Sequence, residues 1–414
     1  MVQYKIRKGE RNIMDKSFLE KLLTVKWKDI LSIFLFLMAV PIAWIYKKRR
    51  KHMWLLCEYG PEARDNAYYL FKYLREEHPE VDAVYALNKD SIDMERITSI
   101  GEVVYYGSLK HWIYYLAAEV NVSSQKGGKP NAAVCYMLEV VTGLLKNTRV
   151  FLQHGIIKDD LPFLHYDKTK MSMFMCSTQK EFDFVKGTFG YPEGAVVLTG
   201  LCRYDNLKNM SDGTQIAIMP TWREWLYNTH EMETIEHTTQ FTETQFYKMW
   251  SGLIKDLLEV YEDSKLKIVV CLHRNMQQYN DYFAAISDKL EIINLQTGGC
   301  IDVLKDAACM ISDYSSVAID FAYLRKPLAY FQADYEQFRQ NHLPEGYFDY
   351  ERDGFGRVCY NKKELLAWIE ERRTENFKQE DIYRRRVERF FTFHDYDYCK
   401  RNYEAICSLI KNKH

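Results

Sequence analysis

Two adjacent hydroxyl side chains are the residues of this sequence best suited to phosphate chemistry. Ser315 and Ser316 follow Asp313 and Tyr314, between a short apolar run and a segment with apolar residues at helical spacing. Hydroxyls and backbone N–H groups at a helix N-terminus bind negative charge, because the helix macrodipole favours anions there. A phosphate would be well placed at this turn. The alternative is that Ser312, Asp313 and Ser315 only cap the helix.

The segments around this turn predict a βαβ unit. Residues 307–311 form an apolar run of strand length, and residues 317–324 carry apolar side chains at the spacing of an amphipathic helix. Asp320 lies within that helix. Pro327 ends it, and residues 328–331 predict a second buried strand.

Short apolar strands alternate with helical patterns from residue 52 onward, which is typical of α/β domains with parallel sheets. Ligands gather at the carboxyl ends of such strands, so the polar residues there are site candidates. The predicted strands are residues 53–57, 83–87, 103–105, 120–123, 150–153, 174–176 and 196–198 in a first domain, and 215–219, 267–272, 307–311 and 328–331 in a second.

Two histidines follow predicted strands, one in each domain. His154 follows the strand at residues 150–153 and precedes Gly155, which permits a tight turn. His273 follows the strand at residues 267–272. Histidine titrates near neutral pH, so His154 is a candidate general base. An isolated loop histidine often has no chemical role, and position alone does not assign one.

Six motifs between residues 154 and 358 resemble, in order, those of the CDP-glycerol glycerophosphotransferase family, which includes teichoic acid glycerol and ribitol phosphate transferases. The Asp-Tyr-Ser-Ser turn, followed by Asp-Phe-Ala and Arg-Lys-Pro, is similar to the family's phosphate-binding signature. His154-Gly155 with Lys158 resembles the family's His-Gly-Thr-Pro-x-Lys, with two isoleucines in place of Thr-Pro. The other matches are Gly-Leu-Cys-Arg-Tyr-Asp at 200–205, Pro-Thr-Trp-Arg at 220–223, the surroundings of His273, and residues 345–358.

The resemblance implies a GT-B fold, in which two Rossmann-like domains face a central cleft, with an N-terminal membrane-associated helix. It implies no cofactor and no metal. It also assigns catalytic roles to His154 and His273, with His273 at the donor diphosphate. The substrate-binding residues that it implies are Lys158, Arg203, Asp205, Thr221, Arg223, Asp313, Ser315, Ser316 and Asp320.

Four regions are expected along the chain. Residues 1–51 are a basic arm and membrane anchor, and residues 52–205 are an acceptor domain. Residues 206–381 are a CDP-donor domain that begins with a polar linker. Residues 382–414 are C-terminal helices that pack back on the first domain.

The anchor prediction rests on residues 30–46, which carry no charge and reach the lower limit for a membrane-spanning helix. Five basic residues follow at 47–51, which places the catalytic domains on the cytoplasmic side of the cell membrane. A helix lying in the interface and an ordinary buried helix are the alternatives. We expect residues 1–51 to contribute little to the fold.

Composition excludes some classes of protein. A net charge of -1 over 414 residues argues against a dedicated nucleic-acid binder. The ten cysteines contain no Cys-x-x-Cys pair, which indicates reduced thiols rather than disulfides or a zinc site. Asp-Tyr-Asp at 395–397 matches a metal-binding tripeptide of some glycosyltransferases, but it lies in a charged helical segment and is not assigned to a metal.

The predicted activity is transfer of glycerol phosphate, or a related polyol phosphate, from CDP-glycerol or CDP-ribitol to a hydroxyl of a lipid-linked glycan or teichoic-acid-like polymer. CMP is the leaving group. One alternative is a GT-B glycosyltransferase that uses a nucleotide sugar in cell-surface polysaccharide synthesis. Another is a membrane-tethered binding protein with a degenerate site, because the Thr-Pro and Arg-x-His-Pro residues of the family are missing.

Overall fold

The computed structural model describes residues 26–226, 241–295, 299–341 and 345–413. Most of the predicted basic arm, residues 1–25, lies outside the described residues. The described strands form two separate sheets, each parallel throughout.

The first sheet has seven strands in the order β3-β2-β1-β4-β5-β6-β7. From β1 the strands are added first towards one edge of the sheet, as β2 and β3, and then towards the other edge, from β4 to β7. The order therefore switches between β1 and β4, and in such sheets ligands bind in the crevice at this switch point. The strands are β1 (Met53–Cys57), β2 (Asp82–Leu87), β3 (Glu102–Tyr105), β4 (Val120–Ser123), β5 (Arg149–Phe151), β6 (Met173–Cys176) and β7 (Val196–Leu198).

The second sheet has six strands in the order β10-β9-β8-β11-β12-β13, and its strand order switches between β8 and β11. Its two edge strands were not predicted, because each has three residues, of which only one is fully buried. The strands are β8 (Gln215–Met219), β9 (Lys267–Val270), β10 (Leu290–Ile292), β11 (Cys309–Ser312), β12 (Leu328–Phe331) and β13 (Arg357–Cys359).

Helices cover both faces of each sheet, as parallel sheets require. They are α1 (Trp27–Arg49), α2 (Asn66–Glu77), α3 (Met94–Thr98), α4 (Leu109–Ala117), α5 (Ala132–Tyr136), α6 (Tyr166–Thr169), α7 (Gln179–Thr188), α8 (Gln245–Val260), α9 (Asn280–Ala284), α10 (Cys300–Asp306), α11 (Val317–Tyr323), α12 (Tyr335–Asn341), α13 (Tyr350–Asp353), α14 (Lys362–Thr374), α15 (Asp381–Phe390) and α16 (Tyr398–Lys411).

One apolar core joins the two sheets. The cluster on the cleft side of the second sheet contains Met219 and Met310, and it also contains Ile156, Leu201 and Tyr204 from the first-domain segments. The C-terminal helix α16 packs on the first sheet, where its buried side chains join those of β1 and α2. The limits of the four predicted regions stay a prediction.

The N-terminal helix α1 is docked on the first sheet's domain through α4. Ala39 and Ala43 are buried in that core, Phe36 contacts Trp112 edge to face, and Trp112 Nε1 donates to Ser32 Oγ at 3.1 Å. The expectation that residues 1–51 contribute little to the fold is therefore wrong for α1. By length and composition α1 is also the one described helix able to cross a membrane.

Candidate active site

The loop after β5 and the turn before α11 meet across the cleft. A Cβ added to Gly155 would lie 2.9 Å from Ser316 Oγ, so a glycine allows the close approach of the two domains here. The structure thereby brings together the two strongest candidates from the sequence, the histidine loop and the serine turn.

His154 is presented to the cleft by a strained turn. Gln153, immediately before it, has a φ of 63°, a left-handed conformation that costs a residue other than glycine about 1–2 kcal/mol. Two side chains hold this turn from behind. Asn66 Nδ2 donates to the Gln153 carbonyl at 2.8 Å, and Arg203 Nη1 donates to the His154 carbonyl at 3.0 Å.

The His154 imidazole reaches solvent through the cleft, while protein atoms surround its other sides. This burial lowers its pKa, and the positive charges of Arg203 and Arg274 act in the same direction. Asp65 opposes the shift, as does a hydrogen bond with the Ser124 backbone. A lowered pKa keeps the imidazole neutral near pH 7, which is the state that accepts a proton.

His273 stands on the opposite wall and is exposed. Its Nδ1 accepts a hydrogen bond from the Asn275 backbone N–H at 3.2 Å, and its ring stacks on Trp222 with centroids 6.0 Å apart. Because Nδ1 is an acceptor, the proton of the neutral ring is on Nε2. His273 is therefore arranged as a hydrogen-bond donor.

Three hydroxyls lie at the carboxyl ends of β8 and β11. Ser315 and Ser316 are half-buried at the start of α11, and the Ser316 side chain makes no capping hydrogen bond to that helix. Thr221 Oγ1 is buried and has no hydrogen-bond partner among the described residues. Buried polar groups are normally paired, so an unpaired hydroxyl here is a candidate ligand contact.

Arg223 is fully buried and, in contrast to the Thr221 hydroxyl, is engaged in ion pairs. Its guanidinium pairs with Asp313 and with Asp334, each at 2.8 Å, and donates to the Thr221 carbonyl at 2.8 Å. Asp313 in turn accepts the Thr221 and Tyr314 backbone N–H groups at 2.7 and 2.6 Å. Arg223 and Asp313 therefore hold the serine turn against β8 instead of facing the cleft.

Arg203, Asp205 and Asp320 are likewise engaged within the protein. Arg203 pairs with Asp320 on α11 and with Asp65, both at 2.7 Å. Asp205 accepts two backbone N–H groups at the start of α16, from Tyr398 and the residue after it, each at 2.8 Å. These side chains connect the first domain to α11 and to the C-terminal helix.

Lys158 is also buried, and it forms an ion pair with Asp159. Asp159 pairs in addition with Arg339 of α12, at 3.2 Å. The predicted residues thus fall into three groups. His154, His273, Ser315 and Ser316 face the cleft, and Thr221 is buried with an unpaired hydroxyl. The others are engaged within the protein, namely the buried Lys158, Arg203, Arg223, Asp313 and Asp320 and the half-buried Asp205.

Two residues of the cleft were missed by sequence reasoning. Asn66 is completely buried, and it links the His154 loop to Arg203 because its Oδ1 accepts the Arg203 backbone N–H at 3.0 Å. Arg274 crosses the cleft, pairs with Glu62 and lies 5.0 Å from the Tyr59 ring. Arg274 could have been found from the sequence, because it directly follows the strand-end His273. No sequence pattern marks Asn66 as a site residue.

Known proteins with similar sequences identify the family of this chain. A profile of the CDP-Glycerol:Poly(glycerophosphate) glycerophosphotransferase family matches residues 38–408. The chain is 31% identical over 370 residues to the minor teichoic acid biosynthesis protein GgaB of Bacillus subtilis (strain 168), which covers 88% of this chain and 40% of GgaB. It is 23% identical over 392 residues to the teichoic acid poly(glycerol phosphate) polymerase of the same strain, which covers 86% of this chain and 48% of the polymerase.

The chain therefore spans less than half the length of these two relatives. Among solved structures, the wall teichoic acid polymerase TagF matches 96% of this chain and 100% of its own, with a TM-score of 0.64 and 13% sequence identity. At that identity the match concerns the fold, and it confirms the predicted pair of facing Rossmann-like domains. Because the family profile extends from α1 to α16, this protein belongs to the CDP-glycerol:poly(glycerophosphate) glycerophosphotransferase family.

Proposed function

We propose that this protein transfers glycerol phosphate, or a related polyol phosphate, from a CDP-linked donor to a hydroxyl of a lipid-linked glycan or teichoic-acid-like polymer, and releases CMP. The observation that carries the proposal is the contact of Gly155 with Ser316, which sets a neutral histidine beside a hydroxyl-bearing turn. Family membership supports the donor class, and one solved TagF structure was obtained after a CDPG soak.

In this proposal His154 accepts the proton of the acceptor hydroxyl as that oxygen attacks the β-phosphorus of the donor. The new bond joins the acceptor oxygen to this phosphorus. The bond from the phosphorus to the bridging oxygen breaks, and CMP leaves with that oxygen. The close approach of the two walls supports this reaction, because acceptor and donor would be held within reaction distance.

The donor diphosphate is held, in this proposal, by polar groups at the carboxyl ends of the second-sheet strands. Thr221, Ser315 and Ser316 supply hydroxyls, and His273 supplies its Nε2–H to the phosphate of the leaving CMP. Arg203 and Arg223 do not contact the donor, because both are buried in ion pairs; they position the walls. We assign the same positioning role to Lys158, Asp205, Asp313 and Asp320.

An assay of purified protein with CDP-glycerol, CDP-ribitol and nucleotide sugars tests the activity. The expected result is release of CMP that depends on acceptor, with a product heavier by one polyol phosphate. A product heavier by one hexose would establish the glycosyltransferase alternative. Absence of turnover with each of these donors would leave the binding-protein alternative.

We infer further that α1 lies in the plane of the membrane interface, with the catalytic domains on the cytoplasmic side. One face of α1 packs on the first domain from Ser32 to Tyr46, so a spanning orientation would carry that domain into hydrocarbon. The opposite face exposes large apolar side chains, and three basic residues occupy the last turn. Its most exposed apolar residues are Trp27, Ile30, Phe34, Leu37 and Trp44.

Sedimentation with lipid vesicles tests this attachment. Protein should bind vesicles that contain phosphatidylglycerol more strongly than vesicles of phosphatidylcholine alone. Replacing Phe34, Leu37 and Trp44 together by serine should abolish binding and leave turnover of a water-soluble acceptor intact, because these side chains do not pack on the domain. Retention of the wild-type protein in membranes after alkaline extraction would instead establish a spanning helix.

A further inference from the structure

A buried carboxylate holds the end of the His154 loop that Asn66 does not hold. Glu181 lies in the first turn of α7 and is fully buried. Its Oε1 accepts the Ile157 backbone N–H at 2.6 Å, and its Oε2 accepts the Ser177 backbone N–H at 2.6 Å. Ile157 is three residues after His154 and belongs to the same loop.

The sequence explains the glutamate at this position as a helix cap, but it does not predict the hydrogen bonds of both carboxylate oxygens. Thr178 and Glu181 have the Ser/Thr-x-x-Glu spacing of a capping box, and Thr178 Oγ1 accepts the Glu181 backbone N–H at 3.3 Å. In such a box the glutamate bonds back to the start of its own helix. Here one oxygen does so through Ser177, and the other oxygen leaves the helix for the catalytic loop.

Burial of the carboxylate disfavours its charged form, so capping alone does not require a buried glutamate. This burial raises the pKa of Glu181 to about 7, although the hydrogen bonds from Ser177 and Ile157 favour the charged form. The cap of α14 shows the ordinary arrangement: the exposed Glu364 accepts the Tyr360 backbone N–H at 2.9 Å and the Asn361 side-chain N–H at 2.7 Å, both at the start of its own helix. A role beyond capping accounts for burying the carboxylate of Glu181.

We propose that Glu181 is a positioning residue for His154, in that it fixes the exit of the loop whose entrance is fixed by Asn66 and Arg203. This inference rests on the proposed function, with His154 as the base. Without Glu181 the Ile157 end of the loop is released, and the imidazole shifts relative to the acceptor hydroxyl. A displacement of about 1 Å at a reacting group lowers turnover about 10²-fold.

Two substitutions and a matched control test the proposal by CMP release and by calorimetric titration of CDP-glycerol. Glu181→Ala should lower kcat about 10²-fold and leave donor affinity unchanged. Glu181→Gln keeps one acceptor oxygen, so its kcat should fall less than that of Glu181→Ala. Glu364→Ala removes the equivalent cap at α14, and its kcat should equal that of the wild type.

A double variant separates positioning from general destabilisation. When His154→Ala is already present, Glu181→Gln should cause no additional loss of kcat, because no base remains to be positioned. An additive loss, or wild-type kcat in both Glu181 variants, would overturn the proposal. If Glu181→Ala does not fold, as judged by circular dichroism, Glu181→Gln carries the test.

Amide hydrogen exchange measures the same property without turnover. Residues 154–158 should exchange faster in Glu181→Gln than in the wild type, and Glu364→Gln should leave them unchanged. Equal exchange in all three proteins would contradict the inference. Failure of the proposed function is recognised separately, as absence of CMP release by the wild type.

Discussion

The two walls of the cleft are held by different kinds of interaction. On the first wall, the backbone around His154 is held by hydrogen bonds to the side chains of Asn66, Glu181 and Arg203, of which Arg203 also pairs with Asp65 and Asp320. On the second wall, the serine turn is held by a buried ion triad, in which Arg223 joins two aspartates.

This difference predicts different consequences of mutation. A hydrogen bond to backbone contributes about 0.5–1.5 kcal/mol, and its loss changes the loop geometry while the fold persists. Removing one member of a buried ion cluster leaves an uncompensated charge, which costs about 3–5 kcal/mol. Substitutions of Asn66 and Glu181 behind the first wall should therefore affect turnover, and substitutions in the ion triad behind the second wall should affect stability.

The largest expected effect is on the first wall itself. His154→Ala should lower kcat by about 10²–10⁴-fold, the range for loss of a general base, with CDP-glycerol affinity nearly intact. His273→Ala should weaken donor binding as well, because in the proposed function its Nε2–H donates to the phosphate of the leaving CMP. Calorimetry and CMP release on both variants measure this. If His154→Ala loses donor affinity and keeps its kcat, the two histidines have exchanged roles.

The ion triad should give the next largest effect. Arg223→Met should destabilise the fold by about 3–5 kcal/mol, because Asp313 and Asp334 lose their buried partner. Denaturation in urea measures the change. Arg373→Met, which breaks an exposed pair with Glu370, is the matched control and should leave the unfolding midpoint unchanged. Equal midpoints for both variants would show that the triad does not hold the second wall.

A hydroxyl of the serine turn should matter for binding and not for stability. Ser316→Ala should weaken CDP-glycerol binding by about 1–3 kcal/mol, the range for a hydrogen bond to a charged group, with an unchanged urea midpoint. Ser99→Ala, at an exposed serine of the first domain, should change neither quantity. Unaltered affinity in Ser316→Ala would remove this residue from the donor site, and loss of turnover in EDTA, restored by magnesium, would assign the diphosphate charge to a metal.

The smallest effect concerns the pH dependence of the base. Burial lowers the pKa of His154, so the acid limb of kcat/KM should lie below the ordinary histidine value of about 6.5. Asp65 raises that pKa, and Asp65→Asn should move the limb to still lower pH. A limb above the ordinary value, or a shift of the opposite sign in Asp65→Asn, would show that another group is the base.

The sequence predicted the fold because its central strands are continuous apolar runs, and it predicted His154, Ser315 and Ser316 because they follow those strands. It did not predict that Arg223 is buried. An arginine in a phosphate-binding motif suggests a phosphate ligand, and its partner Asp334 lies 111 residues further along the chain. Which arginine faces the cleft depends on such tertiary pairing, which the local spacing of residues does not contain.

The docking of α1 was missed for a similar reason. A charge-free run predicts apolar surroundings but does not distinguish lipid from protein. One face of α1 packs on the first domain, and the opposite face exposes apolar side chains. The burial of Ala39 and Ala43 against α4 depends on Trp112, a residue about seventy positions further along the chain.

Ile156 connects the His154 loop to the core of the second domain. It follows His154 and Gly155 directly, yet its side chain is buried in the apolar core of the second sheet. A rotation of the second domain relative to the first would therefore either withdraw Ile156 from that core or pull on a loop that Asn66, Arg203 and Glu181 hold to the first domain. Ile156 therefore resists separation of the histidine loop from the serine turn, and under the proposed function it would keep the base close to the donor site.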